Sequence, residues 1–314
     1  MQENHQQFVK KIIQHHFEAL PNTITRMTTG ICNEVYMASI KAEEVIVRLS
    51  PVDKFLMGSH INIPKFKKFG IKVPDILAED YSKTLIPYSY QIQSKIEGQD
   101  LGEVIATLTD AQLQALAKAV AKIFKKVQTI PSSEKFGIVW GGENEFSDSW
   151  TERMKIWIKE SEERGRKTGI MDDALLQLAE SLYGKSKDYF DSVIPVTYYG
   201  DICSKNIMIH HGAFNGLVDL DGLTQGDPLE AVGRIKTSWY GTHYGEYYTN
   251  AVMDELGLNE SQRKMVKIYA LLNQISWACE NGIQFNQNTK PLVDSKKDKR
   301  AKKIIWALNE ELTS

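Results

Sequence analysis

The chain has 314 residues, 42% of them hydrophobic and 25% charged, with a formal net charge of −2 at pH 7. That composition supports one large core or two modest ones, and the near-neutral balance argues against nucleic acid as the main partner, because duplex binding asks for a basic excess. Three widely spaced cysteines, Cys32, Cys203 and Cys279, suggest neither a disulfide framework nor a zinc site and fit a reducing compartment.

At the N-terminus Phe8, Ile12, Ile13 and Phe17 recur at helical spacing with charges between them, which reads as a helix rather than a signal peptide. No run approaches the roughly 20 apolar residues that cross a bilayer. The expectation is a cytoplasmic protein with no membrane partner. EVYMASI (34–40) and EEVIVRL (43–49) read as short strands, with the turn near Ala42 to Glu44. The stretch from Phe55 to Phe69 has irregular helical character that Pro64 should break. Lys72-Val73-Pro74 leads back to extended chain, and YSYQIQSKI (88–96) is a further strand.

After Gly98 the pattern changes. Leu113, Leu116, Ala117, Val120, Ile123, Phe124 and Val127 form one helix face, and Thr109 with Gln112 makes a capping box. More helices are predicted near 148–163, 172–188 and 259–281, the last capped by Asn259 and ended by Gly282. SKKDKRAKK (295–303) reads as a solvated face or linker before a helix with Ile304, Ile305 and Trp306. His15-His16 and His210-His211 make poor metal pairs, since adjacent side chains diverge. The sequence thus divides into a mixed β lobe, residues 1–96, and a mainly helical lobe, residues 97–314, joined by SKIEGQD.

The stretch that carries chemistry is YGDICSKNIMI (199–209). Ile207-Met208-Ile209 and Gly216-Leu217-Val218 are short apolar runs around a Gly- and Asn-containing turn, the pattern of a β-hairpin. In an antiparallel pair the start of one strand lies beside the end of the next. Asn206 and Asp219 therefore meet at one end, with Asp201 in the loop above. Mg2+ takes hard oxygen ligands and usually only one or two from protein, which suits Asn206 and Asp219. Asp201 is left to accept a proton from a hydroxyl, and together these are the parts of phosphoryl transfer.

The set GDICSKNIMI…GLVDLDGLTQGDP resembles the aminoglycoside phosphotransferase and choline kinase family, small-molecule relatives of the protein kinases. The match lies in the spacing from Asp201 to Asn206 to Asp219 and in Gly226-Asp227-Pro228. The resemblance implies an α+β, bilobal, protein-kinase-like fold, with Mg2+ as cofactor and ATP or GTP as co-substrate. It implies catalytic Asp201, metal-binding Asn206 and Asp219, and transfer of a γ-phosphate to a small hydroxylated acceptor. TTGICNEVYMASI (28–40) is similar to the family's phosphate-covering turn through Gly30 and Asn33, Arg48 falls where kinases carry a phosphate-gripping lysine, and Gln93, Ser94 and Lys95 would offer backbone to the purine. FGIVWGGENEFSDSW (136–150) resembles an insert of the helical lobe. An aminoglycoside-type acceptor is the first expectation; macrolides, choline-like alcohols, sugars, and a non-catalytic nucleotide binder on the same fold stay open.

The sequence departs from the family in three places. Tyr199 stands where the family has His, the helix glutamate that should pair with the strand cation is missing near Ser59-His60, and the acidic residue after Gly-Asp-Pro is offset to Glu230. Candidate acceptor contacts are Asp221, which could also be a second metal contact or polar surface, Glu230, and the aromatics Trp239, Tyr240 and Tyr244, for which helix core is the competing reading. Glu246, Trp277 and Glu280 are placed on the same wall.

Overall fold

The helical spacing at the N-terminus becomes α1 (His5–Phe17), which buries Val9, Ile12 and Ile13. The structure is a computed structural model, and it describes residues 5–141, 144 and 146–313. Next in the chain come β1 (Thr23–Arg26), β2 (Glu34–Ile40), β3 (Glu43–Ser50), α2 (Lys54–Lys68), β4 (Ile76–Asp80) and β5 (Ser89–Ser94). The strands pair antiparallel in the order β1-β2-β3-β5-β4. Along β2 every second residue is buried, as a sheet with one face on a core requires. That face, with Tyr36, Ala38, Val47 and Ile92, meets Val9, Ile12 and Ile13 of α1 in the first core. The β2–β3 turn is Lys41-Ala42, with Ile40 opposite Glu43.

α2 corrects one expectation: Pro64 lies inside the helix and does not end it. Proline removes the bond to the carbonyl four residues back, but α2 is fastened elsewhere along its length. Leu56, Ile63 and Phe66 are buried, and Asn62 Nδ2 donates to the Leu220 carbonyl at 3.0 Å. Tertiary packing outweighs the local penalty. Ile63 and Phe66, with Ile71 and Val73 after them, belong to the core of the helical lobe rather than to the sheet's core. A helix in the β lobe's stretch of sequence is therefore anchored on the other lobe.

The chain then runs through β6 (Gln99–Asp100), α3 (Leu101–Val104), α4 (Asp110–Val127), β7 (Gly137–Val139), α5 (Trp150–Thr168), α6 (Asp173–Asp191), β8 (Val196–Tyr198), β9 (Ile207–His210), β10 (Ala213–Leu217) and β11 (Leu223–Gly226). It ends with α7 (Leu229–Ser238), α8 (His243–Leu256), α9 (Glu260–Ala278) and α10 (Ser295–Thr313). Small antiparallel sheets, β10-β9-β6 and β7-β11-β8, sit among these helices. Capping boxes start α4 at Thr109 and α9 at Asn259. α9 stops at Ala278, before Gly282. The basic run 295–303 is the first half of α10 itself, not a linker; Ala301 is its inward residue and the lysines lie outside. Within the insert read at 136–150, Gly142, Glu143 and Glu145 lie outside the described residues, while Phe136 and Ser147 form an isolated bridge. Among the described residues no helix is long and apolar enough to cross a membrane.

Candidate active site

The hairpin forms with a tighter turn than the sequence suggests: its second strand starts at Ala213, takes in Asn215 and ends at Leu217, one residue short of Val218. His210 pairs with Ala213, so the turn is His211-Gly212, and both have positive φ, 50° and 74°, the requirement of a two-residue type I′ turn. At the other end the Val218 N–H donates to the Asn206 carbonyl at 3.0 Å. This bond brings the residue before β9 beside the residues after β10. Asp201 lies in the loop after β8. Asn206 Nδ2 donates to the Asp201 carbonyl at 2.9 Å and to Asp201 Oδ2 at 3.1 Å. With its nitrogen committed to Asp201, the Asn206 amide keeps its oxygen for a cation. The Asp201 side chain is 40% exposed and its other oxygen accepts from Arg234 Nη1 at 3.3 Å. Arg234 Nε in turn donates to the buried Glu230 at 2.6 Å, and Tyr198 OH donates to the same carboxylate at 3.2 Å. Glu230, expected at the acceptor wall, is thus the anchor of Arg234 beneath Asp201. Arg234 was not singled out in the sequence; its position four residues after Glu230 on α7 was the available signal.

The floor of the candidate site is an ion cluster around Arg48. This residue of β3 is buried. Its Nη1 donates to Asp221 Oδ1 at 2.8 Å and its Nη2 to Asp221 Oδ2 at 2.5 Å, a bidentate pair. Nη2 also reaches Asp219 Oδ1 at 2.9 Å. Burial alone would lower the guanidinium pKa, but the Asp221 and Asp219 carboxylates outweigh it and raise it. Asp219 is pushed upward to about 6, by burial first and by Asp221 second, with Arg48 opposing. Ser59 of α2, at the place of the missing glutamate, bonds Arg48 Nη1 at 3.0 Å and Asp221 Oδ1 at 2.6 Å. Asp221 is therefore not polar surface: it is buried, and Arg48, Ser59 and Asn33 take up its carboxylate. It supplies the carboxylate that the helix does not. His60, the other residue at that place, pairs with Glu79 instead.

α2 comes this close because residue 58 is glycine: a Cβ there would stand 1.5 Å from the Asp221 carbonyl oxygen. The backbone after β10 is held from the other side by Tyr199, whose OH donates to the Val218 and Asp219 carbonyls, each at 2.9 Å. Asp219 itself has φ +61°, a region that non-glycine residues rarely occupy.

The turn at residues 27–33, which contains the Gly30 and Asn33 read as a phosphate cover, joins the same cluster. Asn33 is buried and its Nδ2 donates to Asp221 Oδ2 at 3.0 Å; Gly30 takes φ +90°. At the interlobe strand the β3–β5 ladder ends with Ser94 opposite Val45, and the Ser94 N–H is taken by the Asp75 carbonyl at 2.9 Å. Gln93 is committed to the sheet, so Lys95 is the first of the three whose backbone lies past it; its Nζ pairs with Glu44.

Among the acceptor candidates, Trp239, Tyr240 and Tyr244 are partly buried against the helical core, so packing accounts for much of their surface. Glu246 pairs with Lys236 at 3.3 Å, and Lys236 lies over the Tyr240 ring at 5.3 Å. Trp277 and Glu280 stand three residues apart at the end of α9. Among the described residues the Glu280 carboxylate accepts no hydrogen bond; burial raises its pKa, against the opposing charges of Arg164 and Arg234. Cys203 is buried beside Asp201, and burial with that carboxylate pushes its thiol up to about 12.

A divalent cation fits what is present. Asn206 retains its amide oxygen and Asp219 retains the oxygen not bonded to Arg48. Among the described residues no group of three or more His, Cys, Asp or Glu could hold a metal. An amide oxygen and one carboxylate suit Mg2+ that brings water and phosphate oxygens with it.

The fold that carries these residues has counterparts among solved structures. A thermostable mutant of aminoglycoside phosphotransferase APH(4)-Ia, in ternary complex with AMP-PNP and hygromycin B, superposes with a TM-score of 0.71 at 15% identity, over 96% of this chain and 97% of that one. The GDP complex of wild-type aminoglycoside 2′-phosphotransferase-IIIa gives 0.69 at 12% identity, over 98% and 99%. A GDP and kanamycin complex of a related 2″ enzyme gives 0.69 at 13%, over 98% and 97%. These likenesses fix the fold as α+β, bilobal and protein-kinase-like. No curated protein matches the sequence. A family model described as the phosphotransferase enzyme family matches residues 23–258, a span that runs from β1 through the turn at Gly30, Arg48 and the β9–β10 hairpin to the end of α8, and the chain belongs to that family.

Proposed function

We propose that this protein transfers the γ-phosphoryl group of ATP or GTP to a hydroxyl of a small molecule, with an aminoglycoside-type acceptor as the first reading. The observation that carries it is the meeting of Asp201, Asn206 and Asp219 at the open end of one hairpin, directly above the Arg48–Asp221 pair. Asp201, partly exposed and steered by Asn206 and Arg234, accepts the proton of the acceptor hydroxyl. The freed oxygen attacks the γ-phosphorus as its bond to the β-phosphate oxygen breaks. Asn206 and Asp219 would hold Mg2+, which neutralises phosphate charge when bound. Arg48, fixed from below by Asp221 and Ser59, offsets the charge of Asp219 and Asp221 beneath the phosphates. Gly30 and Asn33 cover them, and the backbone at Lys95 receives the purine. Positioning and charge account for the rate, with no covalent enzyme intermediate.

The non-catalytic alternative rested on the missing helix glutamate. Asp221 pairs with Arg48 in its place, which favours the catalytic reading. For the acceptor, a neutral or singly charged alcohol is the second reading. It is favoured because Glu230 and Glu246 are internally paired, which leaves Glu280 as the unpartnered acidic group among those candidates. The neighbours crystallised with hygromycin B and kanamycin support the first reading. The test is Mg2+-dependent γ-phosphate transfer from ATP and GTP across aminoglycosides, macrolides, choline-like alcohols and sugars, with Asp201→Asn as blank. Acceptor-stimulated turnover that vanishes in the blank supports the kinase and names the acceptor class. Equal rates in both proteins reject the role of Asp201.

A further inference from the structure

The segment between α9 and α10 is a closed loop rather than a linker. Its base is pinned by reciprocal bonds: Asn281 Nδ2 donates to the Asp294 carbonyl and the Asp294 N–H to Asn281 Oδ1, each at 2.9 Å. Its tip is folded on itself, with the Asn288 N–H on Asn286 Oδ1 at 2.8 Å and the Phe285 N–H on Thr289 Oγ1 at 2.7 Å.

From that tip two side-chain amides cross to the other lobe and hold the phosphate turn by its carbonyls. Asn288 Nδ2 donates to the Gly30 carbonyl at 2.8 Å and to that of Thr29 at 3.3 Å. Asn286 Nδ2 donates to the carbonyls of Gly30 and Asn33, both at 3.3 Å. The Gln287 N–H adds a bond to Glu34 Oε1 at 3.3 Å. The turn needs such support. It contains one glycine and, among the described residues, the backbone N–H groups of 29–33 have no hydrogen-bond partner. Fixing a turn's carbonyls on one side leaves its N–H groups unspent, and successive unspent N–H groups form an anion-binding concavity. The Asn33 side chain extends the chain of contacts to Asp221 and so to Arg48.

We propose that Asn286 and Asn288 are positioning residues for the nucleotide phosphates: the helical lobe clasps the phosphate turn and presets its N–H groups for the triphosphate. This rests on the reading of residues 27–33 as the phosphate cover. It also ties the nucleotide site to the end of α9, because the clasp starts just after Trp277 and Glu280.

The experiment compares wild type with an Asn286→Ala/Asn288→Ala double variant. The probes are a non-hydrolysable ATP analogue with Mg2+ and, separately, adenosine, both by calorimetry; hydrogen exchange is followed over 27–35. A clasp that positions phosphates predicts about tenfold weaker triphosphate binding, the effect of losing one to two neutral hydrogen bonds. Adenosine affinity should be unchanged and exchange in 27–35 faster. An Asn288→Gln variant, which keeps the amide donor, should recover part of the loss. Equal triphosphate affinity in the double variant and wild type overturns the clasp alone. A wild-type chain that binds no Mg2+–triphosphate overturns the nucleotide reading and the clasp with it. Equal loss of triphosphate and adenosine shows a general structural role and also overturns the proposal. Should the double variant not fold, Asn288→Ala, which deletes the shortest contact, carries the same comparison with about a threefold loss expected.

Discussion

The proposed catalytic hairpin and the proposed phosphate turn both reach the Arg48 cluster and are stabilised in opposite ways. The hairpin, from Asn206 to Asp219, is fixed mostly by its own neighbours in sequence: the β9–β10 ladder, the His211-Gly212 turn and the Val218 to Asn206 bond. The phosphate turn, residues 27–33, borrows its contacts from far along the chain, from Asp221 and from Asn286 and Asn288. A site half built locally and half by remote partners should respond differently to damage on its two sides. Hairpin changes should strike the chemical step, and changes to the remote partners should strike stability and nucleotide affinity.

The largest effect belongs to the hairpin side. Asp201→Asn keeps the size and hydrogen-bonding shape of the side chain but removes the proton acceptor. Turnover should fall about 10³-fold, the usual scale for losing a positioned base, while calorimetric affinity for Mg2+–nucleotide stays within about twofold. A matching fall in nucleotide affinity would break the division between the two sides.

Next comes the shared floor. Arg48→Met leaves Asp219 and Asp221 facing each other without their cation, and removing one partner of a buried pair costs about 3–5 kcal/mol. Urea unfolding should show a loss of that size. Adding Asp221→Leu to Arg48→Met should return much of it, since the buried charge is then gone from both sides. No recovery in the double variant would mean that Asp221 is held by more than Arg48, with Ser59 and Asn33 the candidates.

The close approach of α2 to the floor is tested by Gly58→Ala. The added Cβ would stand 1.5 Å from the Asp221 carbonyl oxygen, so the helix or the loop must move. Overpacking of this kind costs about 1–3 kcal/mol, visible as a lower melting temperature, and should weaken Mg2+–nucleotide binding through Arg48. A melting temperature equal to wild type would show that α2 is free to slide and does not brace the floor.

The same contrast explains what could be read from the sequence. Asp201, Asn206 and Asp219 were legible because their meeting depends on a hairpin of about a dozen residues, whose turn and apolar runs announce themselves. The capping box at Thr109 and the cap at Asn259 were legible for the same reason. Asp221 was not. Its role depends on β3, α2 and the metal loop converging, with Arg48 lying 173 positions earlier in the chain, and no local pattern marks a carboxylate as the partner of a distant cation. Pro64 misled because proline's local penalty is visible in sequence while the anchoring of Ile63 and Phe66 in the helical lobe's core is not. The asparagines at 286 and 288 look like ordinary turn residues, and only the three-dimensional arrangement shows which carbonyls they hold.

The smallest effect tests whether the hairpin is as self-sufficient as its ladder suggests. Tyr199 OH is the one side-chain donor to the carbonyls of Val218 and Asp219 among the described residues, at 2.9 Å each, and Asp219 sits at φ +61°. Tyr199→Phe keeps the ring that meets Phe66 edge-on at 5.9 Å and removes only the hydroxyl. The cost to stability should be about 1–2 kcal/mol, the scale for leaving a buried acceptor unsatisfied. A ladder that fixes Asp219 unaided predicts nucleotide affinity with Mg2+ equal to wild type. A hydroxyl that holds the strained backbone in place predicts severalfold weaker affinity with Mg2+ and no change without it. We expect the second outcome, because the β9–β10 pairing ends at Leu217 and nothing in that ladder reaches the peptide that aims the Asp219 carboxylate.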